Sequence, residues 1–271
     1  MYLTDLHTHS LYSFDSESEP AAMFARAVSV GLSEIAVTDH YDICNDAFLS
    51  PLALPCNTDA AFAALSAARE SFDGKLKIKV GIELGEGGHN PGKADEVINH
   101  YGYDIVIGSL HNLLGMPDFF YIDYSKMTHD AVGSLFERYL YELCEMIDWG
   151  NFDTLAHLTY PFRYFCACGH DISLDRYMTK IKEVLSLIIK KGIALEVNTS
   201  GYRKALNGPL PPYDIVKQYI EMGGELITLG SDAHIPEDIG CDIENTLLAL
   251  KAAGVKYICT YTLRKPEMIR I

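Results

Sequence analysis

The sequence predicts a single-domain α/β barrel, and three observations carry that prediction. Short apolar runs rich in β-formers alternate with segments of helical periodicity along the whole chain. The alternation recurs about seven times with no glycine-rich phosphate loop, which favours a barrel over a doubly wound open sheet. The apolar runs also tend to end in His, Asp or Glu. Strands that deliver such side chains at their C-terminal ends build an active site, because the βα loops of a barrel gather on one face.

Taken in order, the predicted strands cover residues 2–6, 34–37, 76–83, 104–108, 154–156, 193–197 and 226–229. A helical pattern over 21–30 stops at Gly31, and an alanine-rich one over 59–71 ends before Gly74. Over 128–149, Val132, Leu135, Phe136, Tyr139, Leu140, Leu143 and Ile147 share one face before Gly150. Helices over 174–191 and 212–222 end at Gly192 and Gly223, the usual C-terminal punctuation. Residues 256–261 read as a further or a peripheral strand. Residues 41–57, of mixed polarity, read as a long loop over the barrel mouth, and loops of that length often serve function.

Composition narrows the classes. A chain of 271 residues with 48% hydrophobic content can bury one large core. The net charge of −15 argues against general binding to nucleic acid or an anionic membrane. A small anionic substrate stays possible, because bound divalent cations reverse the local field. The longest apolar stretch, around 184–189, is too short to span a bilayer. His7 lies so near the start that a cleavable signal has no room before it. Seven scattered cysteines without a disulfide framework suit a reducing cytoplasm. Cys166 and Cys168 lack a second pair at zinc-site spacing and read as ordinary thiols.

The chemistry sits in short motifs: D-L-H-T-H-S at 5–10, T-D-H at 38–40, G-I-E-L-G at 81–85, S-L-H-N at 109–112, L-A-H-L at 155–158 and L-G-S-D-A-H at 229–234. His7 and His9 are two apart on a strand and so share a face. Glu83 can bridge two ions, and Asp232 can close the first site. His111 and His157 would complete a second ion beside Glu83, and Asp15, His40 and His234 would supply a third. Mixed imidazole and carboxylate donors suit zinc, manganese or iron better than calcium. His89, His100, His129 and His170 lie in polar sequence and read as solvated.

D-L-H-T-H-S, T-D-H, S-L-H-N and G-S-D-A-H, in this order and spacing, resemble the PHP superfamily, named for polymerase and histidinol phosphatase. The likeness runs from Asp5 to His234. It implies a distorted, TIM-like (β/α)7 barrel with two or three divalent transition-metal ions. Position by position it implies His7, His9, Glu83 and Asp232 for one ion. Glu83, His111 and His157 would hold the second, and Asp15, His40 and His234 the third. Asp39 is expected behind the ligands, orienting an imidazole.

Y-P-F-R-Y (160–164), L-E-V-N-T-S-G-Y-R-K (195–204) and T-Y-T-L-R-K-P (260–266) resemble the stand-alone histidinol-phosphatase branch. That likeness implies metal-assisted hydrolysis of L-histidinol phosphate with no covalent intermediate. Arg163 would fork to the phosphate, with Arg203 or Lys204 as a second contact. Some family members carry arginine where Ser200 stands here. Catalysis would fall to Glu83, through the ions, and to Asp232 or His234 as acid for the departing alkoxide.

The alternatives are a phosphoesterase for nucleotides or another small phosphate, or a metal-binding regulatory module without turnover. Nine ligand candidates together argue against the module. The expected partner is a small phosphorylated molecule rather than nucleic acid or membrane, with the oligomeric state open. L-Histidinol phosphate carries an ammonium and an imidazole, so its pocket should offer carboxylates and aromatic faces. Residues 116–124, with Asp118, Phe119, Phe120 and Tyr121, are candidates, as are Asp42 and Asp46.

Overall fold

The computed structural model describes residues 1–43, 57–72, 74–203 and 205–271. Seven parallel strands form the ring: β1 (Thr4–Asp5), β2 (Glu34–Val37), β4 (Lys77–Gly85), β5 (Ile105–Ser109), β6 (Thr154–Leu155), β7 (Ala194–Asn198) and β8 (Ile227–Gly230), paired in that order. A short β3 (His40–Asp42) adds to β4 where β2 has ended. The last strand meets the first through Leu6 N to Leu229 O, Asp232 N to His7 O and His9 N to Ala233 O, each 2.8 Å. The expected (β/α)7 barrel is therefore present, and each strand near the prediction begins within a residue or two of it.

Helices α1 (Pro20–Ser29), α2 (Thr58–Ser71), α3 (Pro91–Ile98), α4 (His129–Trp149), α5 (Phe162–Ala167), α6 (Met178–Lys191), α7 (Tyr213–Glu221) and α8 (Ile243–Ala252) return the chain between strands or follow the last one. Their ends are coded locally. Asn57 and Thr128 accept from Ala60 N and Ala131 N as N-caps. Gly150 and Gly192 close α4 and α6 with left-handed backbone at φ 66° and 69°, which costs a glycine little. The helix predicted from residue 174 opens as a 3-10 turn, Leu174–Tyr177, before α6.

Strand alternation divides the core in two. Ile35, Val37, Val80, Ile82, Leu84 and Val106 point outward and pack under the helices against residues such as Phe24, Phe136, Leu140 and Ile188. Leu6, Ala36, Ile105, Ile107, Ala156 and Ala194 point inward and fill the barrel axis. Glu83 lies between outward Ile82 and Leu84, so the same alternation aims its carboxylate inside.

The chain ends in an antiparallel hairpin, β9 (Tyr257–Thr262) with β10 (Lys265–Arg270), outside the ring. Cys259 and Tyr261 from β9 join the inner core. Tyr261 donates to the carbonyl of Asp153, and Arg264 pairs with the Asp153 carboxylate at 3.1 Å. The hairpin thus plugs the end where strands begin and leaves the other end open. The segment at 256–261 is peripheral, one of the two readings its sequence allowed. Helices α3, α5 and α8 and strand β10 went unpredicted. The loop read over 41–57 is corrected at its start, where Tyr41 and Asp42 belong to β3. Residues 44–56, with Asp46, and Lys204 lie outside the described residues. No helix among the described residues is long and apolar enough to cross a membrane.

Candidate metal centre

The C-terminal strand ends bring all nine candidate ligands together around Glu83, which is fully buried. One of its oxygens, Oε2, lies 3.2 Å from His7 Nε2, 3.6 Å from His9 Nε2 and 2.8 Å from His40 Nδ1. The other, Oε1, lies 3.2 Å from His111 Nε2 and 3.1 Å from His157 Nε2. Asp232 Oδ1 stands 3.8 Å from His7, 3.5 Å from His9 and 3.8 Å from His234. Asp15 Oδ2 reaches His234 Nε2 at 3.1 Å and His40 Nε2 at 3.7 Å. His9 packs against both His40 and His234, with ring centroids 4.2 and 4.1 Å away.

The strand β1 stops at Asp5, so His7 and His9 sit on the extended run beyond it and still converge on Asp232. His157 and Asp232 hold left-handed backbone at φ 20° and 55°. Non-glycine residues adopt that region at a cost, and such strain gathers at functional sites.

The donor set fits divalent ions. His7 Nε2, His9 Nε2, His40 Nδ1, His234 Nε2 and Glu83 Oε2 are buried without a hydrogen-bond partner, and they face one another. Buried polar atoms are normally satisfied, so a cluster of bare imidazole nitrogens around carboxylates calls for a cation. Among the described residues five trios bring donor atoms within 4.8 Å of one another: His7–His9–Asp232, His7–Glu83–His157, His40–Glu83–His111, His9–His40–His234 and, beside the cage, Asp42–Glu86–His111. His40 touches both Glu83 and Asp15, so the third set is less separate than the sequence suggested.

The cage residues shift one another's proton affinity strongly. Burial opposes protonation of His7, yet Glu196, Glu83 and Asp232 outweigh it and raise its pKa well above the ordinary value. Glu83 and Asp15 overcome burial at His40 and push it up to about 9. Burial, with His234 and His40 beside it, drives His9 well below its usual range. Burial alone would lift Glu83 and Asp232, but the surrounding imidazoles hold both well down.

A second ring of polar groups fixes the ligands, and much of it was missed in the sequence. Glu196 Oε1 lies 2.7 Å from His7 Nδ1, and Glu196 Oε2 accepts from His157 N at 2.8 Å. Glu86 Oε1 accepts from His111 N at 2.6 Å, and Asp42 Oδ1 lies 3.3 Å from His111 Nδ1. Asp39 does stand behind an imidazole, but through a hydroxyl. It accepts from Ser10 N, Ser10 Oγ and Ser13 Oγ, and Ser13 Oγ lies 3.0 Å from His9 Nδ1. Carboxylates in this position fix ring orientation and raise ligand basicity. The available signal was a charged residue, Glu196, inside an apolar strand at an inward position.

A cavity of about 720 Å³ opens over the cage, with Asp15, His40, His111, His157, Asp232 and His234 in its wall. Arg163, from α5, also lines it. Its Nη2 donates to Ser200 Oγ at 2.9 Å and Asp232 Oδ2 at 3.3 Å, and its guanidinium lies 4.7 Å over the Tyr160 ring. Burial opposes that charge, but Asp232 outweighs it and the pKa rises. Arg203 lines the cavity too, with Nη2 on Ser231 O at 2.6 Å and Nε 3.1 Å from Asp238. Arg203 therefore braces the loop after β8, and its buried Nη1 is left without a partner.

Residues 5–200 match the family model described as the PHP domain. The chain belongs to the PHP domain family. It is 30% identical over 256 residues to a probable histidinol-phosphatase of Thermotoga maritima, with 94% of each chain covered. It is 26% identical over 266 residues to the histidinol-phosphatase of Lactococcus lactis subsp. lactis, covering 95% of this chain and 94% of that one. The crystal structure of histidinol phosphate phosphatase from the same organism, complexed with zinc, L-histidinol and phosphate, matches with a TM-score of 0.84 at 25% identity over 98% of both chains.

Two of the four remaining histidines correct the sequence reading. His170 is buried, with Nε2 2.9 Å from Tyr124 O and Nδ1 3.2 Å from His129 Nδ1. His89 is largely buried against Glu142 at 2.9 Å. Both brace loops away from the cage, and polar neighbours in sequence did not reveal these partners. His100 and His129 are exposed as expected.

Proposed function

We propose that this PHP protein is a metal-dependent phosphomonoesterase that hydrolyses L-histidinol phosphate to L-histidinol and phosphate. The observation that carries the reading is the nine-residue cage of His, Asp and Glu, in which His7, His9, His40, His234 and Glu83 each leave a buried ligand atom without a hydrogen-bond partner, with Arg163 at its rim. The named relatives, matched over nearly the full length, support the substrate. His7, His9, Glu83 and Asp232 would hold one ion, Glu83, His111 and His157 a second, and Asp15, His40 and His234 a third. Two or three ions of zinc, manganese or iron suit these donors, and zinc is the metal in the Lactococcus structure. When bound, such ions activate water and offset charge on phosphoryl oxygens.

The chain's own groups do the rest. Arg163, held by Ser200 and Asp232, presents a preorganised fork to phosphoryl oxygens. Arg203 keeps the loop carrying Asp232 and His234 in place and can offer Nη1. Of the two candidate acids, His234 is the better placed. Asp232 is engaged by Arg163 and faces His7 and His9, whereas His234 opens to the cavity with Asp15 3.1 Å from its Nε2. With two ions bound and the third position free, a proton held on that nitrogen can pass to the departing alkoxide. The test is steady-state hydrolysis of L-histidinol phosphate, nucleoside monophosphates and phosphotyrosine by protein stripped with chelator and resupplied with each metal. L-Histidinol phosphate should have the highest kcat/KM, and only after metal return. Preference for a nucleotide, or full activity without metal, would sink the reading.

A further inference from the structure

We propose that Asp118 reads the charge of the alcohol half of the substrate, so that the site selects phosphomonoesters whose alcohol carries a protonated amine. The inference rests on the phosphomonoesterase reading above and adds the residue that sets its substrate class.

The cavity wall has two chemically distinct parts. Arg163 and Arg203 line it near Asp232, where a phosphate belongs. Asp118, Phe120, Tyr121 and Tyr164 line another part. Tyr160 joins the two: its ring lies under the Arg163 guanidinium and 5.1 Å from the His111 ring, and its hydroxyl donates to Asp118 Oδ1 at 3.4 Å. A ligand with phosphate at Arg163 therefore has Asp118 one tyrosine ring away.

Asp118 lacks the partner its setting calls for. Its Oδ1 also accepts from Phe120 N at 2.7 Å, while its Oδ2 accepts no hydrogen bond among the described residues. No Lys, Arg or His of those residues forms an ion pair with it. A half-buried carboxylate without an ion pair is costly, and an organic cation offsets that cost. Phe120 and Tyr121, 65% and 49% exposed, stand beside it. Exposed aromatic faces at a cavity suit a cation or a planar ring.

The other candidates for this role fall away. Asp42 sits on His111 Nδ1, Phe119 is core against Tyr139, and neither lines the cavity.

Asp118→Asn tests the assignment, because asparagine keeps the acceptor for Phe120 N while removing the charge. The readout is a ratio of kcat/KM values, L-histidinol phosphate over p-nitrophenyl phosphate. It should fall at least tenfold, mainly through KM, and the inhibition constant of L-histidinol should rise by a similar factor. A parallel loss on both substrates, or no loss, would overturn the proposal. A second pair, O-phosphoethanolamine against ethyl phosphate, separates this from the choice of substrate. Wild-type protein that prefers a nucleotide defeats the histidinol reading alone. A wild type indifferent between the aminoalkyl and alkyl phosphates, or an unchanged ratio in Asp118→Asn, defeats the role of Asp118.

Discussion

The two ends of the barrel both bury charge, and they satisfy it differently. At the closed end Glu34, Asp104 and Asp153 begin or precede their strands, and each of their carboxylate oxygens has a partner within the chain. Glu34 takes Tyr2, Lys77 and Thr260, and Asp104 takes Val80 N, Arg69 and Leu263 N. Asp153 takes Val106 N and Arg264. At the open end Glu83 Oε2 and five imidazole nitrogens are buried with no hydrogen bond. A polar network completed by its own chain reads as stability, whereas one left incomplete reads as a site for something else.

The largest effect that would break this contrast belongs to Glu83. Glu83→Gln should lower kcat/KM by at least three orders of magnitude, roughly 4 kcal/mol or more. It should also cost more than any single histidine change, because both carboxylate oxygens serve separate imidazole groups. Elemental analysis should find fewer bound ions in the variant than in wild type. Equal, mild losses across Glu83 and the histidines would deny it a bridging role.

At the closed end the effect should fall on folding instead. Tyr261 fills the barrel axis at 2% exposure and donates to Asp153 O. Tyr261→Ala should lower the unfolding free energy by about 3–5 kcal/mol, the range for emptying an aromatic site. Urea unfolding measures the loss, and kcat per folded molecule should hold. A variant that unfolds like wild type but loses turnover would erase the distinction between the ends.

The two ends were also unequally legible in the sequence. Ligands at the open end announce themselves because metal chemistry restricts them to His, Asp and Glu, placed where an apolar strand stops. H-x-H and G-S-D-A-H are visible for that reason. Their supports are harder to see: Glu196 looks like one polar residue in a strand, and Ser13 matters only because Asp39 meets it across 26 positions. The closed end rests on contacts such as Thr260 with Glu34, 226 apart, which no local pattern encodes. The short helices α3 and α5 and the hairpin partner β10 carry too few residues for periodicity to stand out. Arg203 shows the limit for substrate groups, since its sequence context marks a cation near the mouth but not that Ser231 and Asp238 already engage it.

The smallest effect sharpens the contrast through pH. In protein stripped of metal, His40 titrates at about 9 instead of its ordinary value near 6.5. A raised folded-state pKa on a histidine adds stability that is complete below the unfolded value and lost as pH climbs through the folded one. The rise from 6.5 to about 9 corresponds to at most about 3.4 kcal/mol. His7 and His111 shift in the same direction and steepen the slope. At the closed end Asp153 titrates below this window. Burial, partly offset by Arg264, pushes Asp153 up to about 6, so its effect falls with rising pH below that point and is finished by pH 7. Urea unfolding of chelator-treated protein should therefore show stability dropping between about pH 7 and 9.5. Metal-loaded protein should lack that drop, because coordination keeps the same imidazoles deprotonated. Identical slopes with and without metal would mean that these histidines are not where the ions bind.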